Sequence, residues 1–193
     1  MNSGSVFVEL GFFHIVDLHA WDHLLFLVVL VSVYGLEHWR QWASATALFS
    51  VGHTVSLVVA MSAGVPLNER VVEMAILLTL LVTALANLHP RSIRPKGYRR
   101  AWGAAVFGLI HGLGFAKDFR GMLLNDELDF VSLLAFTGGI ELGQMAVVLV
   151  ALSAATLLES AAKWRPKEWV FFCSGGTLFL TLYLLMPYFT GTP

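Results

Sequence analysis

The stretch Trp21-Asp22-His23-Leu24-Leu25-Phe26-Leu27-Val28-Val29-Leu30-Val31 decides what kind of molecule this is. A carboxylate and an imidazole stand together at the head of an unbroken apolar run. Ionisable groups in lipid-type sequence are costly to keep. They usually face a bundle interior or a wet cavity and mark an ion, proton or substrate site. Further groups of this kind recur in later apolar segments, at His53, Glu73, His111 and Glu141.

Composition supports the same solvent. Apolar residues make up 57% of the chain and charged residues 13%, against roughly 25% charged in ordinary soluble domains. Mean hydropathy is +0.73. A soluble fold of this length has no means of hiding so much apolar surface, so the solvent is a bilayer. No basic stripe suited to nucleic acid is present. Cys173 is the only cysteine, which excludes an intrachain disulfide and a cysteine-based metal cluster within one chain. The first residues lack a basic stretch followed by a small-residue cleavage site, so no cleaved signal peptide is expected. Residues 1–17 read as an interfacial or re-entrant segment ahead of the first span.

A span needs about 20 apolar residues. Six segments qualify, at about 18–36, 42–63, 70–89, 101–118, 130–158 and 168–188. They show no barrel-type alternation, and lipid leaves helices as the other choice. The expectation is an all-α, polytopic membrane helix bundle of about six transmembrane helices, forming a single domain over residues 1–193. Lys and Arg set its orientation. Nine of them, from Arg40 through the basic loop at 90–100 to Lys167, fall on one side if the spans alternate; Arg70, Lys117 and Arg120 fall on the other. That split places both termini outside the cytoplasm. Trp39, Trp42, Trp102, Trp164 and Trp169 flank the cytoplasmic ends as interfacial aromatics do. Gly138-Gly139 and Gly175-Gly176 read as helix-packing positions, and no internal repeat stands out.

On this topology Asp22, His23, Glu73, His111 and Glu141 lie in the outer leaflet, and His53 lies near the middle of its span. Burying each alone would cost several kcal/mol, which favours one shared polar cavity on the extracytoplasmic side. Imidazoles with carboxylates suit zinc, nickel or iron(II) rather than calcium. His14 and Asp17, spaced i, i+3, share a helical face and extend the site or line its mouth. The candidate metal ligands are therefore His14, Asp17, Asp22, His23, His53, His111 and Glu141. Glu73 and Gln144 are outer supports; Gln144 follows Glu141 by three residues and points near it. The blander readings are a helix cap for Asp22, an interfacial pair with Arg70 for Glu73, and an interhelical hydrogen bond for His53.

Four segments together, HIVDLHAWDHLLF (14–26), FSVGHTVSL (49–57), FGLIHGLGFA (107–116) and FTGGIELGQ (136–144), resemble the HupE/UreJ family of small bacterial membrane proteins. The resemblance runs over most of the chain. It implies a multi-pass protein of the bacterial inner membrane, related to hydrogenase and urease accessory proteins, with a role as a nickel or other metal permease. It also carries over His14, Asp17, Asp22, His23, His53, His111, Glu141 and Gln144 as the polar set.

Two functional classes compete on the residues themselves. One is transport of a divalent transition metal, nickel or zinc. The other is a membrane-embedded zinc-dependent hydrolase acting on a lipid, lipoprotein or envelope substrate. In the hydrolase, His23, His53 and His111 would hold zinc, and Glu141 or Asp22 would serve as general base. A structural subunit of a membrane complex, with an oligomeric or accessory-protein partner, is the third class. Membrane lipid and a metal ion are the expected partners.

Overall fold

The structure is a computed structural model that describes residues 3–18, 21–63, 68–89, 92–93, 98–122 and 130–190. It is all-helical, and the described residues hold no strand. Among the described residues seven α-helices follow in order: α1 (Ser3–Val16), α2 (Trp21–Val31), α3 (Trp39–Ala63), α4 (Glu69–Leu88), α5 (Arg99–Met122), α6 (Phe130–Ala161) and α7 (Pro166–Thr190). Four helical stretches are long and apolar enough to cross a membrane, and five if α1 and α2 count as one broken crossing. Their outward surfaces are apolar, as Val150, Phe179 and Phe189 illustrate at 70% exposure or more. This is a membrane protein. His19 and the acidic Asp126, Glu127 and Asp129 lie outside the described residues, as do Arg91, Arg94 and Lys96 of the basic loop.

Local chemistry explains several helix ends. The Asn68 side chain accepts the Val71 amide at 3.3 Å and caps α4. Pro166 opens α7, where its missing N–H costs nothing. Glu168 accepts the Arg165 backbone N–H at 2.7 Å and the Arg165 guanidinium at 2.6 and 2.8 Å.

The first crossing differs most from the sequence expectation. A single span was expected over 18–36. The structure instead gives an eleven-residue α2, about 16 Å long, which is half of a hydrocarbon core. Before it comes α1. It is bent by 71° from α2, and it runs along α6 rather than standing apart: Gly11, Phe12 and Ile15 meet α6 between Phe136 and Gly143. Val28 and Val31 of α2 then pack by Val148, Ala151, Leu152 and Ala155 of the same helix. The two short helices follow one neighbour in one direction, bent as the halves of a broken span or of a re-entrant loop are. Asp22 and His23 consequently sit just after the bend, in the first turn of α2.

Glycine permits the two most extensive helix contacts, α3 with α5 and α1 with α6. A Cβ on Gly52 would fall on the Ala105 carbonyl oxygen, one on Gly108 on that of Phe49, and one on Gly112 on that of His53. On the other pair, a Cβ on Gly11 would fall on the Phe136 carbonyl oxygen and one on Gly139 on that of Val8. Of the paired glycines singled out in the sequence, only Gly139 packs in this way. Gly138, Gly175 and Gly176 face open space, because residues adjacent on a helix point about 100° apart and rarely share a neighbour.

At the basic end, Asn87 ties three helices together. Its amide donates to the Val29 carbonyl at 2.6 Å and to the Ser32 hydroxyl at 3.3 Å, and its oxygen accepts from the Arg100 guanidinium at 2.6 Å. The Ser92 hydroxyl donates to the Asn87 carbonyl.

Candidate metal centre

Four helices deliver one histidine each to a common chamber. The last turn of α1 brings His14, the first turn of α2 brings His23, and the middles of α3 and α5 bring His53 and His111. One ring nitrogen from each of His14, His23 and His53 lies within 4.8 Å of the other two. Ring centroids are 4.5 Å apart for His14–His23, 5.5 Å for His14–His53 and 6.0 Å for His23–His53. His111 flanks the trio, its ring 5.5 Å from that of His23. His23, His53 and His111 are at most 4% exposed.

Hydrogen bonds fix which nitrogens are free. His111 Nδ1 lies 2.8 Å from the Phe107 carbonyl. A carbonyl only accepts, so Nδ1 carries the proton and Nε2 keeps its lone pair. His23 Nδ1 lies 3.1 Å from Asp22 Oδ1, and a carboxylate likewise selects the Nδ1–H form. Nε2 of His14, His23 and His111 and both ring nitrogens of His53 are buried without a hydrogen-bond partner. Each orphaned polar atom costs about 1–3 kcal/mol. Such a cluster of unpaired ring nitrogens, an acceptor on His23, His53 and His111 among them, is stable when something electrophilic satisfies it together. Bonds of about 2.0–2.1 Å to an ion lie within reach of modest ring movements.

Asp22 has two tasks. Its Oδ1 accepts the His23 backbone N–H at 2.9 Å, satisfying one of the first-turn donors of α2. The same oxygen orients the His23 ring. Replacing it by asparagine, which accepts more weakly, is expected to weaken ion affinity by about 10–100-fold, read by isothermal titration with Ni²⁺ or Zn²⁺. A loss below threefold would show that the ring is held by packing alone.

The other sequence candidates take different places. Asp17 is exposed at the break, where its backbone N–H continues α1 by bonding the Phe13 carbonyl at 2.9 Å. Glu141 is half-buried on α6 and is not a member of the close trio. It stands between Thr137 and Gln144 on its helix, and both reach α3. The Thr137 and Thr54 hydroxyls are 3.1 Å apart, and Gln144 donates to the Ser50 hydroxyl at 2.7 Å. The Gln144 amide nitrogen is thus committed to α3, while its Oε1 is buried without a partner. Glu73 is exposed and accepts the Tyr188 hydroxyl at 2.6 Å, which joins α4 to α7 instead of serving the histidines.

Sequence reasoning missed the walls. Phe115 lies against His14 with centroids 3.7 Å apart, and Phe136 stacks parallel to Phe115 at 5.4 Å. On the opposite side Phe26 and Phe49 stack at 4.8 Å, and their rings lie 5.3 and 5.2 Å from His111. The signal was one helical turn away: Phe49 and Phe115 stand four residues from His53 and His111, and Phe26 stands three from His23. Phenylalanine in an apolar run reads as lipid-facing, so the spacing went unused.

A helical membrane protein that gathers imidazoles from four helices, three of them buried, is the class that this fold and this site define. The family model described as HupE / UreJ protein matches residues 1–189. The chain belongs to the HupE / UreJ family, as its four motifs implied. No curated protein and no solved structure matches it.

Proposed function

We propose that this protein carries a divalent transition-metal ion, nickel by family resemblance, across the bacterial inner membrane. The chain then forms one bundle of six crossings: α1 with α2, then α3, α4, α5, α6 and α7. Both termini are extracytoplasmic. His14, His23 and His53 hold the ion, with His111 as a fourth donor and Asp22 behind His23. Asp17 and Glu141 attract the cation toward the chamber from its outer mouth.

The observation that carries this reading is the set of unpartnered imidazole nitrogens at the break between α1 and α2. Carriers build ion sites at discontinuous helices. Hydrolysis fits less well. Asp22 Oδ1 is committed to its own helix and to His23, and Glu141 stands outside the close trio.

Proteoliposomes loaded with a metal-sensitive dye test the proposal. Saturable Ni²⁺ uptake is expected, competed by Zn²⁺ and reduced at least tenfold in His111→Ala. Retention of about one ion per chain with no uptake would overturn transport and turn attention to hydrolysis. Protein that binds no ion would sink both.

A further inference from the structure

The glycine contacts of the two helix pairs correspond position for position. Gly11 of α1 seats on the Phe136 carbonyl and the Ile140 amide of α6; Gly108 of α5 seats on the Phe49 carbonyl and the His53 amide of α3. Gly139 of α6 seats on Val8 and Phe12 of α1; Gly52 of α3 seats on Ala105 and Leu109 of α5. Matching α1 with α5 and α6 with α3 superposes every one of these contacts. A fifth agrees as well, Gly143 against Ile15 with Ser56 against Gly112. The match extends to side chains. Gly11-x-x-His14 corresponds to Gly108-x-x-His111, and Phe49-Ser-x-Gly52 to Phe136-Thr-x-Gly139.

The matched helices run in opposite directions. The contacts of α1 climb α6 in register, and those of α3 climb α5. The bonds Thr54–Thr137 and Ser50–Gln144 set α3 antiparallel to α6. The operation that exchanges the pairs is therefore a two-fold axis lying in the membrane plane. It interchanges His14 with His111, so it passes through the histidine chamber. It also interchanges Phe49 with Phe136. Both phenylalanines are fully buried. Phe49 lies 5.2 Å from the His111 ring and Phe136 lies 5.9 Å from the His14 ring. Each stacks on a second phenylalanine, Phe49 on Phe26 and Phe136 on Phe115.

We infer that the chain is an inverted structural repeat, with Phe49 and Phe136 as its paired gates: Phe49 closes the chamber toward the basic, Arg99 side and Phe136 closes it toward the other. This rests on the transport reading and adds its moving parts. In an inverted repeat, one half can adopt the conformation of the other, and opening of one face then accompanies closure of the opposite face. The structure holds both gates shut.

The test uses the full chain with Cys173→Ala and a reporter, Thr54→Cys, beside the chamber. A membrane-impermeant thiol reagent is added to one side or the other of oriented vesicles, with and without Phe49→Ala or Phe136→Ala. Phe49→Ala is expected to raise labelling at least tenfold from the Arg99 side only, and Phe136→Ala from the opposite side only. Phe179→Ala, on the lipid face, should change neither. Ni²⁺ binding in detergent is the check that each gate variant is folded, with Phe179→Ala as the unaltered reference. Should a truncated form fail to bind Ni²⁺, Phe49→Leu and Phe136→Leu must give a split of the same sense. Labelling raised from one and the same side by both, or from neither with Ni²⁺ binding intact, overturns the gates. Sidedness reads independently of uptake. A clean split with no Ni²⁺ uptake would sink transport and leave the gates standing; uptake without a split would do the reverse.

Discussion

His53→Ala protein is expected to lose more than about 100-fold in affinity for Ni²⁺ and Zn²⁺, beyond what disturbing an outer support costs. His53 is fully buried and both its ring nitrogens are unpaired, so no protein group competes for its lone pair. It is also flanked on all sides. His14 and His23 face it at 5.5 and 6.0 Å, and Phe49 and Phe115 lie at 6.2 and 6.3 Å. Truncation leaves an apolar hole that no neighbouring donor can fill. Stability in ion-free detergent should change little or rise, because two orphaned nitrogens disappear with the ring. Titration calorimetry beside a thermal melt separates the two effects. Unchanged affinity would mean that the ion sits elsewhere or not at all.

The second large effect concerns packing. Gly52→Leu should destabilise the protein by at least the upper end of the about 1–3 kcal/mol usual for overpacking. The obstacle at Gly52 is the Ala105 carbonyl, a backbone group of a helix already in contact. Side chains can rotate away from an intruder, whereas a helix backbone must move as a body. Gly108→Leu should behave alike, and both should lower ion affinity because α3 and α5 carry His53 and His111. Gly138→Leu is the control: a Cβ there meets nothing within 4 Å. Thermal unfolding in one detergent ranks the three. Equal melting temperatures would show that the α3–α5 contact does not hold the bundle.

Much of the fold was legible because lipid imposes length. The segments at 42–63, 70–89, 130–158 and 168–188 fall inside α3, α4, α6 and α7 within a few residues. The first crossing was not legible. Asp22 and His23 read as the outer end of a span, whereas they open α2 just after its bend from α1. A broken crossing looks polar in the middle, and hydropathy alone has no means of telling that from an end. The histidines were recoverable, since an imidazole in an apolar run needs a reason. Glu73 illustrates the limit: its depth resembles that of the others, but rotation about its helix turns it to Tyr188, and depth carries no azimuth. The repeat escaped for a related reason. It survives at a handful of positions, separated by loops of unequal length, and contacts preserve it better than letters do.

The chamber's arithmetic of ions has an electrical consequence. Imidazoles bind as neutral ligands, and Asp22 is the carboxylate bonded directly to a ring of the trio. A doubly charged guest therefore leaves about one positive charge uncompensated at the break between α1 and α2. An inside-negative voltage acts on each charge crossing the full field with about 2.3 kcal/mol per 100 mV. On the proposed transport, the loaded state is drawn inward and the empty state is not, so that a cell obtains direction from its resting polarisation.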